Sequence, residues 1–161
     1  MRNGWGWLAL SAVVIVLDQL SKQWVSKSLA FGEMIPVMPS FNLVLAHNAG
    51  AAFSFLAGAG GWQRGFFIGI AVVAAVVIVH LLRKHHGERL FSLALALILG
   101  GALGNLIDRI LLGHVVDFLD FYVQGYHWPA FNIADMAITG GAGLLIWDSL
   151  KKPEKTVRGE E

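Results

Sequence analysis

Phe66-Phe67-Ile68-Gly69-Ile70-Ala71-Val72-Val73-Ala74-Ala75-Val76-Val77-Ile78-Val79-His80-Leu81-Leu82 contains no Asp, Glu, Lys or Arg. A helix needs roughly 20 apolar residues to cross the hydrocarbon core of a bilayer, and this run is close to that length. Outward from it lie three further apolar stretches, Trp5–Trp24, Leu90–Ile107 and Phe131–Leu150. The last is the least clean, because Asp135 and Asp148 interrupt it near both ends. Of the 161 residues, 56% are hydrophobic and only 14% charged. A soluble domain carries about 25% charged residues. The predicted fold class is therefore an all-α membrane protein with four transmembrane helices. A single four-helix membrane domain is expected over residues 1–150, with outer loops 28–61 and 109–130 and a flexible cytoplasmic tail at 151–161.

Orientation follows from the basic residues. Of the 12 Lys and Arg, Arg2, Arg83, Lys84, Arg89, Lys151, Lys152, Lys155 and Arg158 lie at the N-terminus, in the connection between spans two and three, and in the tail. Lys22, Lys27, Arg64 and Arg109 lie on the other side. The positive-inside rule then places both termini in the cytoplasm and the two long connections outside. The first stretch is not read as a cleaved signal peptide. Asp18 and Lys22 interrupt it where the apolar region should continue, and no small-x-small cleavage site follows.

The outer connections look structured. Met34–Met38 and Phe41–Leu45 are β-compatible and bracketed by prolines, which predicts a small extracytoplasmic β-sheet. A short interfacial helix is expected around Phe53–Leu56, and Gly58–Gly61 reads as a flexible connector. There is no cysteine, which excludes disulfides, thiolate catalysis and cysteine metal sites. No basic patch with interleaved aromatics points to nucleic acid. His47, His114 and His127 lack ligand spacing and His85–His86 sits in a basic loop, so no metal and no cofactor is expected. No serine has a lysine or histidine partner in a recognisable nucleophile pattern.

The polar residues at the ends of the spans carry the functional signal, because ionisable groups at membrane depth are costly. Ser92, Ala96, Gly100 and Gly104 recur every fourth residue and form a small-residue face that lets another helix approach closely. The same spacing reaches Asp108, beside Asn105 and Arg109. Arg109 is free to balance a distant carboxylate or to anchor among lipid headgroups. Asp18 and Lys22 are four apart on one helical face and read as a local ion pair, with a supporting role around a site as the alternative. In the fourth span, Asn132 is placed to cap the helix with Asp135 at its third position, a capping-box spacing. Spacing alone leaves a structural and a catalytic role for Asp135 equally open. Asp135, Thr139 and Gly143 share one face, expected to turn inward.

Asp117 lies in the strand-like His114-Val115-Val116-Asp117-Phe118, 18 positions before Asp135 (135 − 117). Two carboxylates that meet across a loop form a candidate acid/base pair. Asp120, three residues beyond Asp117, should point the other way along a strand and reads as a solvated loop acid.

Five segments together resemble the lipoprotein signal peptidase (signal peptidase II) family: Asp18-Gln19-Leu20-Ser21-Lys22, Asn48-Ala49-Gly50-Ala51-Ala52-Phe53, Gly100 to Arg109, Val115-Val116-Asp117-Phe118 and Phe131-Asn132-Ile133-Ala134-Asp135. They occur in order across nearly the whole chain. The resemblance implies an aspartyl endopeptidase of the bacterial cytoplasmic (inner) membrane. Such an enzyme removes the signal peptide from prolipoproteins by cutting just before a diacylglyceryl-modified cysteine, and globomycin-type peptides inhibit it. It implies Asp117 and Asp135 as the catalytic pair, which resolves the ambiguity over Asp135. Asp18, Lys22, Asn48, Gly50, Asn105, Asp108, Arg109, Asn132 and Ala134 would line or brace the site. The expected partners are prolipoprotein substrates and membrane lipids, and the expected state is a monomer.

Two readings from other classes compete. A proton-coupled transporter would use Asp18, Asp108, Asp117 and Asp135 as a relay, but spans two and three carry no charge at mid-depth. A non-enzymatic assembly subunit would use the small-residue faces and leave the polar motifs unexplained.

Overall fold

The structure, a computed structural model, describes residues 4–50 and 62–151. Four long apolar helices are present: α1 (Trp5–Ser28), α2 (Trp62–Lys84), α3 (Arg89–Leu111) and α4 (Ile133–Lys151). All four are long and apolar enough to cross a membrane. A helix suits that solvent because it satisfies its backbone groups internally. Between the helices lie strands β1 (Met34–Met38), β2 (Phe41–Asn48), β3 (Val115–Val123) and β4 (Tyr126–His127). The expected Met34–Met38 and Phe41–Leu45 strands are present, the second extended to Asn48. The short helix expected at Phe53–Leu56, the Gly58–Gly61 connector and the tail from Lys152 lie outside the described residues.

Helix α3 is central. Of its most apolar window 56% is buried, against 28% for α1 and 11% each for α2 and α4. The small-residue face explains why. A Cβ on Gly100 would lie 2.8 Å from the Ser11 carbonyl oxygen of α1, and one on Gly104 would lie 2.6 Å from Asp18 Oδ2. A Cβ on Gly101 would collide with the Ala134 carbonyl oxygen of α4. Ser11 Oγ donates to the Ala96 carbonyl at 2.8 Å, so the close approach also carries an interhelical hydrogen bond. Helix α2 packs on α3 through Ile78, Leu82, Leu95 and Leu99.

The face of α4 corrects an expectation. Thr139 and Gly143 are exposed, and Ala134 and Gly141 are the buried positions. Gly141 abuts the Ala94 carbonyl and Ile98 of α3. Both sides of α4 carry small residues, so spacing defined a face without deciding which one turned inward.

The four strands form one antiparallel sheet in the order β1-β2-β3-β4. Its inner side, with Leu45, Val116 and Phe118, packs on Val25 and Leu29 at the end of α1. Gln124 and Gly125 make the β3–β4 turn with φ of 51° and 82°. Both values are positive, as a two-residue type I′ hairpin requires. The chain then folds back along β3. Phe131 N donates to the Leu119 carbonyl at 3.1 Å, and Leu119 N donates to the Phe131 carbonyl at 2.9 Å. That pairing sets where α4 begins and why it starts at Ile133 rather than at Phe131.

Candidate active site

The start of α4 is tied down from three directions. Asp135 N donates to Asn132 Oδ1 at 2.9 Å and Asn132 N donates to Asp135 Oδ2 at 3.3 Å. This is the reciprocal capping box the spacing predicted, with Asn132 as the cap. Ala134 N donates to Asp18 Oδ1 at 2.9 Å, so a carboxylate from α1 satisfies a further free amide of that first turn. Ala134 is wholly buried between α1 and α3, where only a small side chain fits.

Lys22 is the hub beneath this turn. Its Nζ lies 2.7 Å from Asp18 Oδ2 and 2.9 Å from Asp108 Oδ2, and it donates to Asn105 Oδ1 at 2.9 Å. The i,i+4 pair read from the sequence is thus real, and it forms one arm of a larger network. Asp18, Lys22 and Asp108 are all buried. Asp108 Oδ2 also accepts from Val116 N at 3.1 Å, which fixes the start of β3 to the end of α3. Asn105 then points its Nδ2 at Asp135 Oδ1, 2.8 Å away. Its carbonyl side faces the cation, so its amide side is left for the acid.

Asp117 is brought in by β3. Asn132 Nδ2 donates to Asp117 Oδ1 at 2.7 Å, and Asn48 Nδ2 donates to Asp117 Oδ2 at 3.1 Å. Asn48 is aimed by a local turn in which its Oδ1 accepts from Gly50 N at 3.0 Å. Gly50 has φ of 115°, and a Cβ there would lie 2.6 Å from the Phe67 ring, so glycine is required on both counts. Burial, followed by the charge of Asp135, pushes the Asp117 carboxyl up to about 7, against the pull of the Asn48 and Asn132 amides. Asn132, completely buried, is therefore a neutral bridge between the two acids.

Arg109 does not form a direct ion pair with either acid. It lies over the Phe67 ring, 5.1 Å from the centroid, and donates to the Asn105 carbonyl at 3.3 Å. From there its charge acts through space on Asp135, Asp117 and Asp108.

Comparisons with known proteins identify the family. A model of the signal peptidase (SPase) II family matches residues 10–151. The chain belongs to the signal peptidase II family. A lipoprotein signal peptidase of Ralstonia nicotianae is 62% identical over 146 residues, covering 91% of this chain and 84% of that protein. One from Cupriavidus necator is 60% identical over 146 residues, covering 91% and 83%. A bacterial membrane enzyme solved by the in meso method at 2.3 Å superposes with a TM-score of 0.83 at 32% identity, covering 97% of this chain and 94% of the other. Another, solved at 1.9 Å, gives 0.81 at 34% identity, covering 91% and 94%.

In this signal peptidase II chain, Asn48, Asn105 and Asn132 bond the carboxylates of Asp117 or Asp135, while Asp18, Lys22, Gly50, Asp108, Arg109 and Ala134 connect to them through those residues or through the first turn of α4. Three contributions were missed. Gln19 Nε2 donates to Asp108 Oδ1 at 2.8 Å and to the Gly104 carbonyl at 3.2 Å; its place beside Asp18 in the first motif was the available signal. Arg64 donates to the carbonyls of Arg109 and Ile110 at 2.8 and 2.9 Å and so caps α3, with no sequence signal to reveal it. Asp120 is not a solvated loop acid. It is buried and accepts from Asn42 Nδ2 at 2.7 Å, with His127 Nδ1 2.9 Å from both its oxygens. Among the described residues, no group of three or more His, Cys, Asp or Glu side chains is arranged to hold a metal ion.

Proposed function

We propose that this chain is an aspartic endopeptidase that removes the signal peptide from diacylglyceryl-modified bacterial prolipoproteins by cutting before the lipidated cysteine. Asp117 and Asp135 are its catalytic pair. The observation that carries this reading is the neutral Asn132 between two carboxylates, with one of them pushed up to about 7. Among the described residues no cation is hydrogen-bonded or ion-paired to either acid, so the two compete for a single proton.

Asp117 holds the proton, because it is the buried member under the influence of its partner's charge. Asp135 accepts from Asn105 and Asn132 at the positive end of a helix, an environment suited to a carboxylate. The Asp135 carboxylate takes a proton from water as the water oxygen attacks the scissile carbonyl carbon. Asp117 donates its proton to the carbonyl oxygen, giving a gem-diol. On collapse, Asp117 recovers a proton from the diol hydroxyl, the C–N bond breaks, and Asp135 passes its proton to the leaving amine. Both acids return to their starting states.

The basic residues Arg83, Lys84, Arg89 and Lys151 lie at the ends of the helices, away from the sheet. This supports both termini in the cytoplasm and the acid pair near the outer face. There the lipidated cysteine stays at the membrane surface and the signal helix stays in lipid, with the substrate entering sideways between spans. The working unit is residues 1–150, acting as a monomer and blocked by globomycin-type peptides. Cleavage of a lipidated precursor tests the reading, with Asp117→Asn and Asp135→Asn as folded, inactive controls. Robust turnover by either variant would sink it.

A further inference from the structure

The buried Asp120 group lies outside the chemistry just described, yet its side-chain hydrogen bonds join β2, β3 and β4. Asp120 is 4% exposed. A buried carboxylate needs paired donors to be tolerated. Its donors are Asn42, from the strand on one side, and His127, from the strand on the other. Strand β4 is only two residues long, Tyr126 and His127, and a strand that short is held weakly by its ladder alone. Trp128 N donates to the Phe121 carbonyl at 2.8 Å directly beyond it, and the chain reaches Asn132 four residues later. His127 thus holds the start of the segment that leads to the cap of α4. The far end of that segment is held by the Phe131 ring stacked on Phe121 and by the Leu119 pairing. Together they set the approach of Asp135 to Asp117.

We propose that Asp120 and His127 form a positioning clip for the catalytic pair. The pair fixes the β4-to-α4 segment against β3, so that Asn132 sits between the two acids at bonding distance from both. The proposal rests on the aspartic-peptidase reading above. His127 touches no reacting atom, so its loss should act on the chemical step and leave substrate capture along the spans in place.

The test uses the full-length enzyme and a lipidated precursor peptide, with kcat and KM measured separately and folded protein quantified by thermal melting in detergent. His127→Ala should lower kcat about tenfold to a hundredfold, the range expected when reacting groups are misplaced by about 1 Å, with KM changed less than threefold. His127→Asn keeps a donor near the position of Nδ1 and should recover most of the loss. A second arm avoids the histidine altogether. Tyr122 and His127 are cross-strand partners next to the turn, a non-hydrogen-bonded pair in a two-residue hairpin and so close enough to bridge. The chain has no cysteine, so the intended bridge is the single intramolecular disulfide open to Tyr122→Cys/His127→Cys, and a non-reducing gel separates it from crosslinked dimer. Its reduced form should show the low kcat and its oxidised form should regain activity. Wild-type kcat in His127→Ala, or equal kcat for the oxidised and reduced double variant, overturns the clip. Inactive Asp117→Asn in the same assay would then leave the peptidase reading intact, whereas active Asp117→Asn would remove that reading first.

Discussion

Two pairs of carboxylates meet where the helices join the sheet, and what lies between the members of each pair differs. Asp18 and Asp108 are bridged by the Lys22 ammonium, at 2.7 and 2.9 Å. Asp117 and Asp135 are bridged by the Asn132 amide, which donates to one and accepts from the backbone amide of the other. The Lys22 ammonium offsets the charge of both buried acids, which act as acceptors for the amides of Ala134 and Val116. With only a neutral amide between them, two acids compete for a proton. The same residue type is therefore structural in one pair and proposed as reactive in the other, and the Lys22 charge between the first two acids is what separates them.

Breaking the second pair should have the largest effect. Asp117→Asn and Asp135→Asn each remove a group that must change protonation in the cycle, so turnover should fall by about 10³-fold or more with little loss of folded protein. Breaking the first pair should act on the fold instead. Lys22→Met strands two buried carboxylates, which typically costs about 3–5 kcal/mol and should appear as a large drop in melting temperature. Lys22→Ala and Asp18→Asn, normalised to folded protein, should retain more activity than either dyad variant. An Asp18→Asn protein that is folded yet as inactive as Asp117→Asn would collapse the distinction and make Asp18 a third candidate for the chemistry.

The comparison also shows what could be read from the chain beforehand. The four helices followed from apolar length, and the capping box at Asn132 and Asp135 followed from local spacing. So did the Asp18–Lys22 pair. All three depend on residues close in sequence. Arg64 capping α3 and the burial of Asp120 under Asn42 depend on partners 45 and 78 positions away, and no local period encodes these. The inward face of α4 was misjudged for a related reason: Ala134 and Gly141 matter only because α3 presents Gly101 and the Ala94 carbonyl opposite them. That Asn132 links both acids was likewise invisible, although the two were singled out as a candidate pair.

A pH profile sharpens the contrast at intermediate scale. The proposed mechanism needs Asp117 protonated, and its carboxyl is pushed up to about 7 by burial and then by Asp135. The kcat/KM of the free enzyme should therefore fall on the alkaline side with a one-proton limb centred near 7. A flat profile between pH 6 and 9 would show that Asp117 does not supply the acid.

The smallest expected effect is on stability. An ordinary Asp titrates at 3.8, whereas Asp117 in the folded chain is raised to about 7. Between those values the native state holds a proton that the unfolded state has released, so stability falls as pH rises through the window and levels off above it. Asp117→Asn removes the titration while keeping the shape and the Asn48 and Asn132 neighbours. The melting temperature of Asp117→Asn minus that of the wild type should thus increase from pH 4 to pH 7 and then hold constant. Asp18→Asn instead breaks the buried ion pair with Lys22 and weakens the acceptor for the Ala134 amide, so it should lower the melting temperature at neutral pH. If the two substitutions gave the same sign near pH 7, the bridging residue would not be what separates the two pairs, and the electrostatic basis for placing the chemistry at Asp117 and Asp135 would fail.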